Sequence, residues 1–228
     1  MRFQDAAPDA RAIVYATIQA DPLVAHAAGL LADATYEERL LARAVMNGET
    51  TDAAGWRTTF PSLFDSAVDP EVRSRSEAIL AAALEVADRG EQVRSQFRGA
   101  IVESLTALLL ERRAGLASVR RERRLLFDGV RAEIHPYDVT VELPGRAEAY
   151  DCKWGARGIG PDVLHQLDDA RTHAADEDEP LVVALVVFDA RLSCDVRLDR
   201  QTAPTGGTGL VTIETLDELA TRPALPLP

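Results

Sequence analysis

The spacing of apolar positions changes near Gly115. Before it, apolar residues fall at helical spacing: Ile13, Tyr15, Ile18 and Leu23, then Leu30, Leu31, Leu40, Leu41 and Val45, then Val72, Ile79, Leu80, Leu84 and Val86. Breaks at Asp21-Pro22, Asn47-Gly48, residues 55–61 and Asp69-Pro70 divide residues 7–88 into about four predicted helices. A further helix is predicted over 91–113, with Val93, Phe97, Ile101, Leu105, Leu108 and Leu109 as its apolar stripe. Glu103 interrupts the apolar stretch 100–110, and on the helical pattern alone it reads as an ordinary exposed helix former.

After Gly115 the period falls to two, which predicts strands over 118–127, 132–143 and 146–154, with Pro144-Gly145 turning between the last two. A helix over 161–174, a buried strand over 181–188 and a short strand over 210–213 follow. Thr215 and Glu218 have capping-box spacing and open a last short helix, leaving 223–228 as a frayed tail. The order is that of an α/β core preceded by an all-helical region, without internal repeats or low-complexity segments.

Charge and composition narrow the function. A formal net charge of −12 argues against a protein that coats nucleic acid through its own cations, but not against a nuclease that carries metal ions. The two cysteines, Cys152 and Cys194, make no disulfide framework and suit a reducing cytoplasm. No charged leader with an apolar core and no apolar run of membrane-spanning length is present, so a soluble cytoplasmic protein without a membrane partner is expected. The P-loop, G-x-S-x-G and CxxC motifs are absent, which removes the usual NTPase, α/β-hydrolase and zinc-ribbon readings. The most informative residue is Lys153, the sole lysine among 25 lysines and arginines. Where arginine serves every other need for positive charge, a retained lysine points to a compact, rotatable ammonium that arginine cannot supply.

The hairpin around Pro144-Gly145 gives Lys153 its company. If the turn is centred between those residues, positions summing to 289 oppose each other, and Asp138 faces Asp151. Alternation places Asp151 and Lys153 on one face, and Tyr137, Val139, Val141, Tyr150, Cys152 and Trp154 on a second, apolar face. Pro-Gly favours a type II turn, so a four-residue loop with the same centre is expected. Opposed residues have Cβ atoms about 4.5–5.5 Å apart. Two carboxylates that close repel unless a divalent cation joins them, and Mg²⁺ favours one or two carboxylates plus waters and phosphate oxygens. A lysine beside such a metal can have a depressed pKa and orient or deprotonate the attacking water.

Asp138, then Asp151-x-Lys153, with Glu103 on the preceding helix in Gly99-Ala-Ile-Val-Glu103, resembles the PD-(D/E)XK, or restriction-endonuclease-like, nuclease superfamily in its Mrr-like and Holliday-junction-resolvase-like branches. The resemblance spans about residues 91–220. It implies a restriction-endonuclease-like mixed sheet flanked by helices and Mg²⁺-dependent hydrolysis of phosphodiester bonds, with Mn²⁺ able to substitute. Asp138, Asp151 and the backbone carbonyl of Cys152 would ligate the metal. Lys153 would position or activate water, and Glu103 would orient the site or serve a second metal. Two departures stand out: Tyr137 separates Pro136 from Asp138, and Gln166 is followed by Ala170 where RecB-like members carry a tyrosine.

The expected organisation is a helical region over 1–88 for partner binding, oligomerisation or target recognition, a nuclease-like domain over 89–222, and the tail. DNA is the expected substrate ahead of RNA, in a restriction or antiphage defence setting. A noncatalytic nuclease-like scaffold or nucleic-acid sensor is the competing reading. Arg112, Arg113, Arg120, Arg121, Arg123 and Arg124 read equally as a phosphate-tracking edge or as a solvated helix end and strand, and Gln166 is a further candidate nucleic-acid contact. His165 and His173 lack metal-ligand company, and strand parity places His135 on the face away from Asp138.

Overall fold

A computed structural model of the chain describes residues 1–6, 10–48, 51–115, 118–131, 135–202 and 211–222. The chain divides into two units, one of Met1–Pro8 with Thr106–Pro228 and one of Asp9–Leu105.

The helical unit contains α1 (Ala10–Gln19), α2 (Pro22–Ala32), α3 (Tyr36–Asn47), α4 (Ala53–Thr59), α5 (Pro61–Phe64), α6 (Pro70–Ala87) and the start of α7 (Glu91–Ala114). Local chemistry sets the starts. Asp21 and Asp69 cap α2 and α6 with proline at the first helical position, Asp52 caps α4 through Gly55 N, and Thr35 and Glu38 form a capping box on α3. The expectation of about four helices before α7 missed α4 and α5. These have seven and four residues, too short to show a helical period, and lie around a stretch rich in turn-forming residues.

Leu31, Leu41, Val45, Met46, Ile79, Leu80 and Val86 are buried in this unit. Ile13, assigned to an apolar stripe, is instead 60% exposed. Glu38 is fully buried and accepts hydrogen bonds from Arg75 Nε and Nη2 at 2.9 Å, Ser76 Oγ at 3.1 Å and Thr35 N at 2.7 Å. Burial alone would raise its pKa, but Arg75 and the Thr35 donors outweigh burial and hold the carboxyl below its ordinary value.

The other unit is α/β. Its strands are β1 (Arg2–Asp5), β2 (Val119–Phe127), β3 (Val130–Arg131), β4 (Tyr137–Leu143), β5 (Arg146–Lys153), β6 (Leu181–Val187) and β7 (Thr212–Thr215). They form a mixed sheet in the order β1-β2-β4-β5-β6-β7, with β3 paired to β2. Pairing is antiparallel from β1 to β5 and parallel across β5, β6 and β7. Parallel neighbours need crossovers, which α8 (Pro161–Asp176) and the β6–β7 connection carrying α9 (Arg191–Thr202) supply. The capping box at Thr215 and Glu218 opens α10 (Leu216–Thr221).

Several boundaries differ from the sequence expectation. The first residues belong to the sheet as β1, because four residues are too few to display an alternation. The division therefore falls at residues 8 and 105 rather than at 88. The second predicted strand starts at Tyr137, with residues 132–134 outside the described residues, as are Leu210 and the tail 223–228. Helix α9 was not anticipated from its strongly polar sequence.

Both faces of the sheet are covered. Ala149, Val183, Leu185, Val187 and Ile213 pack with Leu164, Leu167, Ala170 and Ala174 of α8 and Cys194 of α9. The opposite face, expected to be the more apolar of the two, carries a buried polar network. Arg113 bonds Glu148 and donates to Tyr150 Oη at 3.1 Å, and Tyr150 donates to Glu148 Oε2 at 2.6 Å. Arg222 reaches Tyr150 Oη at 3.3 Å and bonds Glu214. Glu148 was overlooked because strand alternation reports only which face a residue takes, not what covers that face. No helix of the described residues is long and apolar enough to cross a membrane.

Candidate metal centre on the β4–β5 hairpin

The hairpin has the expected register. Val139 pairs with Tyr150, Thr140 with Ala149, Val141 with Glu148, Glu142 with Ala147 and Leu143 with Arg146, so opposed positions sum to 289. The loop is shorter than expected, with only Pro144 and Gly145 between the paired ends. Gly145 makes this possible with φ of 70°, the left-handed conformation required at the third position of a type II turn.

Extending the register one place brings Asp138 opposite Asp151. The backbone ladder ends there, and side chains continue the connection. Asp138 Oδ2 accepts a hydrogen bond from Cys152 N at 2.6 Å, and Asp151 Oδ1 accepts from the same N–H at 3.1 Å. Lys153 Nζ donates to Asp151 Oδ1 at 2.8 Å. The two aspartates thus meet at one peptide N–H, and the sole lysine is bonded to one of them.

The pKa of Lys153 is raised. Burial favours the neutral amine, but the charges of Asp151 and Asp138 outweigh it. The two aspartates therefore favour the ammonium form, and the depression expected of the lysine belongs to a site with a cation beside it. A cation of this kind can orient a water or hold a phosphate oxygen, but it cannot remove a proton.

Residues downstream fix the lysine. Phe188 N donates to Lys153 O at 2.9 Å, and Trp154 meets Phe188 edge-on with ring centroids 5.0 Å apart. The turn Ala156–Gly158 is held by Asp189, whose Oδ2 accepts from Ala156 N at 3.1 Å, and Arg197 Nε donates to Ile159 O at 3.0 Å. Gly158 is the floor under the lysine stem: an added Cβ would lie 2.8 Å from Lys153 Cβ and 2.9 Å from its Cγ. Gly158→Ala will therefore displace Lys153 and lower any Lys153-dependent cleavage by about 10²-fold, the cost of about 1 Å of misplacement. Initial-rate kinetics beside a thermal melt check this, with the rate expected to fall far more than stability.

Glu122 joins Asp138 at this end of the sheet, and sequence reasoning missed it. Arg121 pairs with Val139 and Arg123 with Tyr137, leaving Glu122 at the place across from Asp138. Its φ of 52° is uncommon for a residue with a side chain. A carboxylate oxygen of each lies within 4.8 Å of the other. The distortion accompanies a change of face: Tyr137, expected beside Val139 and Tyr150, lies in the cluster with Ala149 and Leu185. The only hint in the sequence is a single acid within Arg120-Arg121-Glu122-Arg123-Arg124.

The remaining candidates have defined surroundings. Glu103 on α7 is buried, not exposed, and accepts hydrogen bonds from Tyr15 Oη at 2.6 Å and Gln19 Nε2 at 2.8 Å. Gln166 on α8 spends its amide on the backbone of one residue upstream of Asp138, accepting from His135 N at 3.4 Å and donating to His135 O at 3.3 Å. Of the arginines, Arg113 is buried against Glu148 and Arg123 bonds Asp5 and Glu142, whereas Arg112, Arg120 and Arg121 are exposed and Arg124 is half-buried. Cys152 is buried.

The donor set suits a hard divalent cation, since Asp138, Asp151 and Glu122 offer only carboxylate oxygens, with a backbone carbonyl on the same strand. No family model matches the chain, and no curated protein matches it. Among solved structures, a similarity is found to protein VC1899 from Vibrio cholerae, with a TM-score of 0.40 and 15% identity. The match takes in 96% of this chain and 56% of that one, so the chain spans little more than half of its length.

Proposed function

We propose that this chain is a divalent-metal-dependent nuclease that hydrolyses phosphodiester bonds, in DNA ahead of RNA, and that its α/β unit is a restriction-endonuclease-like core. The observation that carries this reading is the meeting of Asp138 and Asp151 at the Cys152 N–H, with the ammonium of Lys153 bonded to Asp151. Carboxylates that near to one another gain from a shared cation, and a nucleic acid supplies the phosphate oxygens that complete its coordination.

Asp138, Asp151 and the Cys152 carbonyl would hold Mg²⁺ or Mn²⁺, Glu122 is near enough to Asp138 to join them, and the resemblance adds Glu103. Such an ion, when bound, supplies Lewis acidity toward the phosphate and lowers the pKa of water. Lys153 places its ammonium where the attacking water or a phosphate oxygen meets it, and Asp151 keeps that amine charged and aimed. Gln166 steadies the backbone at His135, three residues before Asp138. The exposed Arg120 and Arg121 would track phosphates, and the helical unit would serve a partner, a second copy or target recognition. A restriction or antiphage role in the cytoplasm fits this activity.

The net charge of −12 favours a second reading, a noncatalytic scaffold or nucleic-acid sensor acting through a partner. Assays with single- and double-stranded DNA and RNA in Mg²⁺ or Mn²⁺ separate the two. Cleavage that EDTA abolishes supports the nuclease, and nucleic-acid binding without cleavage under every condition supports the scaffold.

A further inference from the structure

We propose that Arg157 binds a phosphate of the nucleic acid next to the scissile one, which adds a substrate-anchoring residue to the site. This rests on the nuclease reading of the hairpin. Arg157 lies in the turn Ala156–Gly158, and its neighbour Gly158 is the residue packed against the lysine stem. The arginine therefore starts one Cα step, about 3.8 Å, from the floor of Lys153. Arg157 is exposed, and the Lys153 side chain is 29% exposed, so solvent reaches both cations. The two differ in what they can hold: the ammonium is a compact point charge, whereas the guanidinium is a planar fork that matches two phosphate oxygens at once.

Charge sets this arginine apart. In a chain of net charge −12, Arg113, Arg123, Arg146, Arg191 and Arg222 of the same unit are paired to carboxylates. Arg157 makes no hydrogen bond or ion pair among the described residues. Its guanidinium can take a phosphate without giving up an existing partner. The backbone beneath it is also fixed. Asp189 Oδ2 accepts from Ala156 N at 3.1 Å before the arginine, and Arg197 Nε donates to Ile159 O at 3.0 Å after it. Gly158 N donates to Gly155 O at 2.8 Å and Ile159 N to Ala156 O at 3.0 Å, closing the turn, and the Ala156 and Ile159 side chains are buried on either side of Arg157. A cation carried on a held turn has less freedom to lose when it binds, so more of the contact appears as affinity.

The test uses the intact chain with duplex DNA and reads cleavage kinetics in Mg²⁺ and binding by fluorescence anisotropy, each over a range of salt. Arg157→Ala should raise the KM about 10-fold while kcat changes little, the loss expected for a hydrogen bond between charged groups. The dependence of log affinity on log salt should become shallower by about 1, the mark of one lost phosphate contact. Arg157→Lys should restore that salt dependence but only part of the affinity, because the charge returns without the fork. Both variants should melt with wild type, since the exposed side chain has no partner in the fold to lose. If wild type cleaves and Arg157→Ala keeps the wild-type KM and salt dependence, the anchoring role is overturned and the nuclease reading stands. If wild type binds DNA without cleaving it and Arg157→Ala weakens that binding with the same loss of salt dependence, the anchor stands and the nuclease reading falls. If wild type neither binds nor cleaves nucleic acid, both fall.

Discussion

If the chain is the proposed nuclease, Lys153→Ala will lower the single-turnover rate of Mg²⁺-dependent cleavage by about 10³-fold while leaving the protein folded, an effect on the scale of removing one fixed donor from a polar active site. The lysine is positioned from both ends. Its stem lies over Gly158, its carbonyl accepts from Phe188 N, and its ammonium donates to Asp151. With the ammonium gone, Asp151 and Asp138 remain to bind a cation, so metal affinity should change little while the rate collapses. Lys153→Arg should not restore the rate, because the planar guanidinium cannot occupy the place of a compact ammonium above the Ala156–Gly158 turn. Rapid-quench measurements at saturating Mg²⁺ with a thermal melt decide the matter. A Lys153→Ala protein that cleaves at the wild-type rate removes the lysine from the mechanism.

The largest stability loss is expected on the far face of the same strand. Arg113 and Glu148 have side chains only 4% and 1% exposed, and they bond each other and Tyr150. Truncating either leaves a buried charge without its counter-charge, which costs about 3–5 kcal/mol. Arg113→Ala and Glu148→Ala should each lower the urea midpoint severely, while Arg113→Met combined with Glu148→Leu should recover much of the loss by replacing the pair with apolar volume. A pH dependence accompanies the pair. Burial pushes the Glu148 carboxyl up, but Tyr150 and Arg113 outweigh burial and bring its folded pKa below the unfolded value of about 4.3. Its contribution to stability is therefore complete above about pH 4.3 and lost as pH falls through the lower folded value. Glu214, which burial pushes up, works in the opposite sense, since its protonation favours the folded form as the medium acidifies. Urea titrations between neutral pH and pH 3 should show the Glu148 contribution vanish in Glu148→Gln.

The hairpin was the most legible part of the chain. Two-residue periodicity and one Pro-Gly turn sufficed to bring Asp138, Asp151 and Lys153 together, because antiparallel register follows from the turn centre alone. The loop length was misjudged, since turn preference is weaker than the pull of paired strands. Strand β1 and helices α4 and α5 were hidden by their shortness. Glu122 was hidden for a different reason: a positive φ at a residue other than glycine cannot be inferred from the residue type. The partners of Glu103 lie 84 and 88 residues away in sequence, and no local pattern encodes such contacts. The buried pair of Arg113 and Glu148 was masked by composition, with Arg113 reading as one more cation in an arginine-rich stretch.

The most direct measurement is anomalous diffraction from a crystal soaked in Mn²⁺. The expected result is a peak in contact with the carboxylates of Asp138 and Asp151, at about 2.0–2.3 Å from their oxygens, that disappears in Asp151→Asn. A soaked crystal with no peak between those aspartates, or with Mn²⁺ only at surface carboxylates elsewhere, would contradict the assignment of this hairpin as a metal centre.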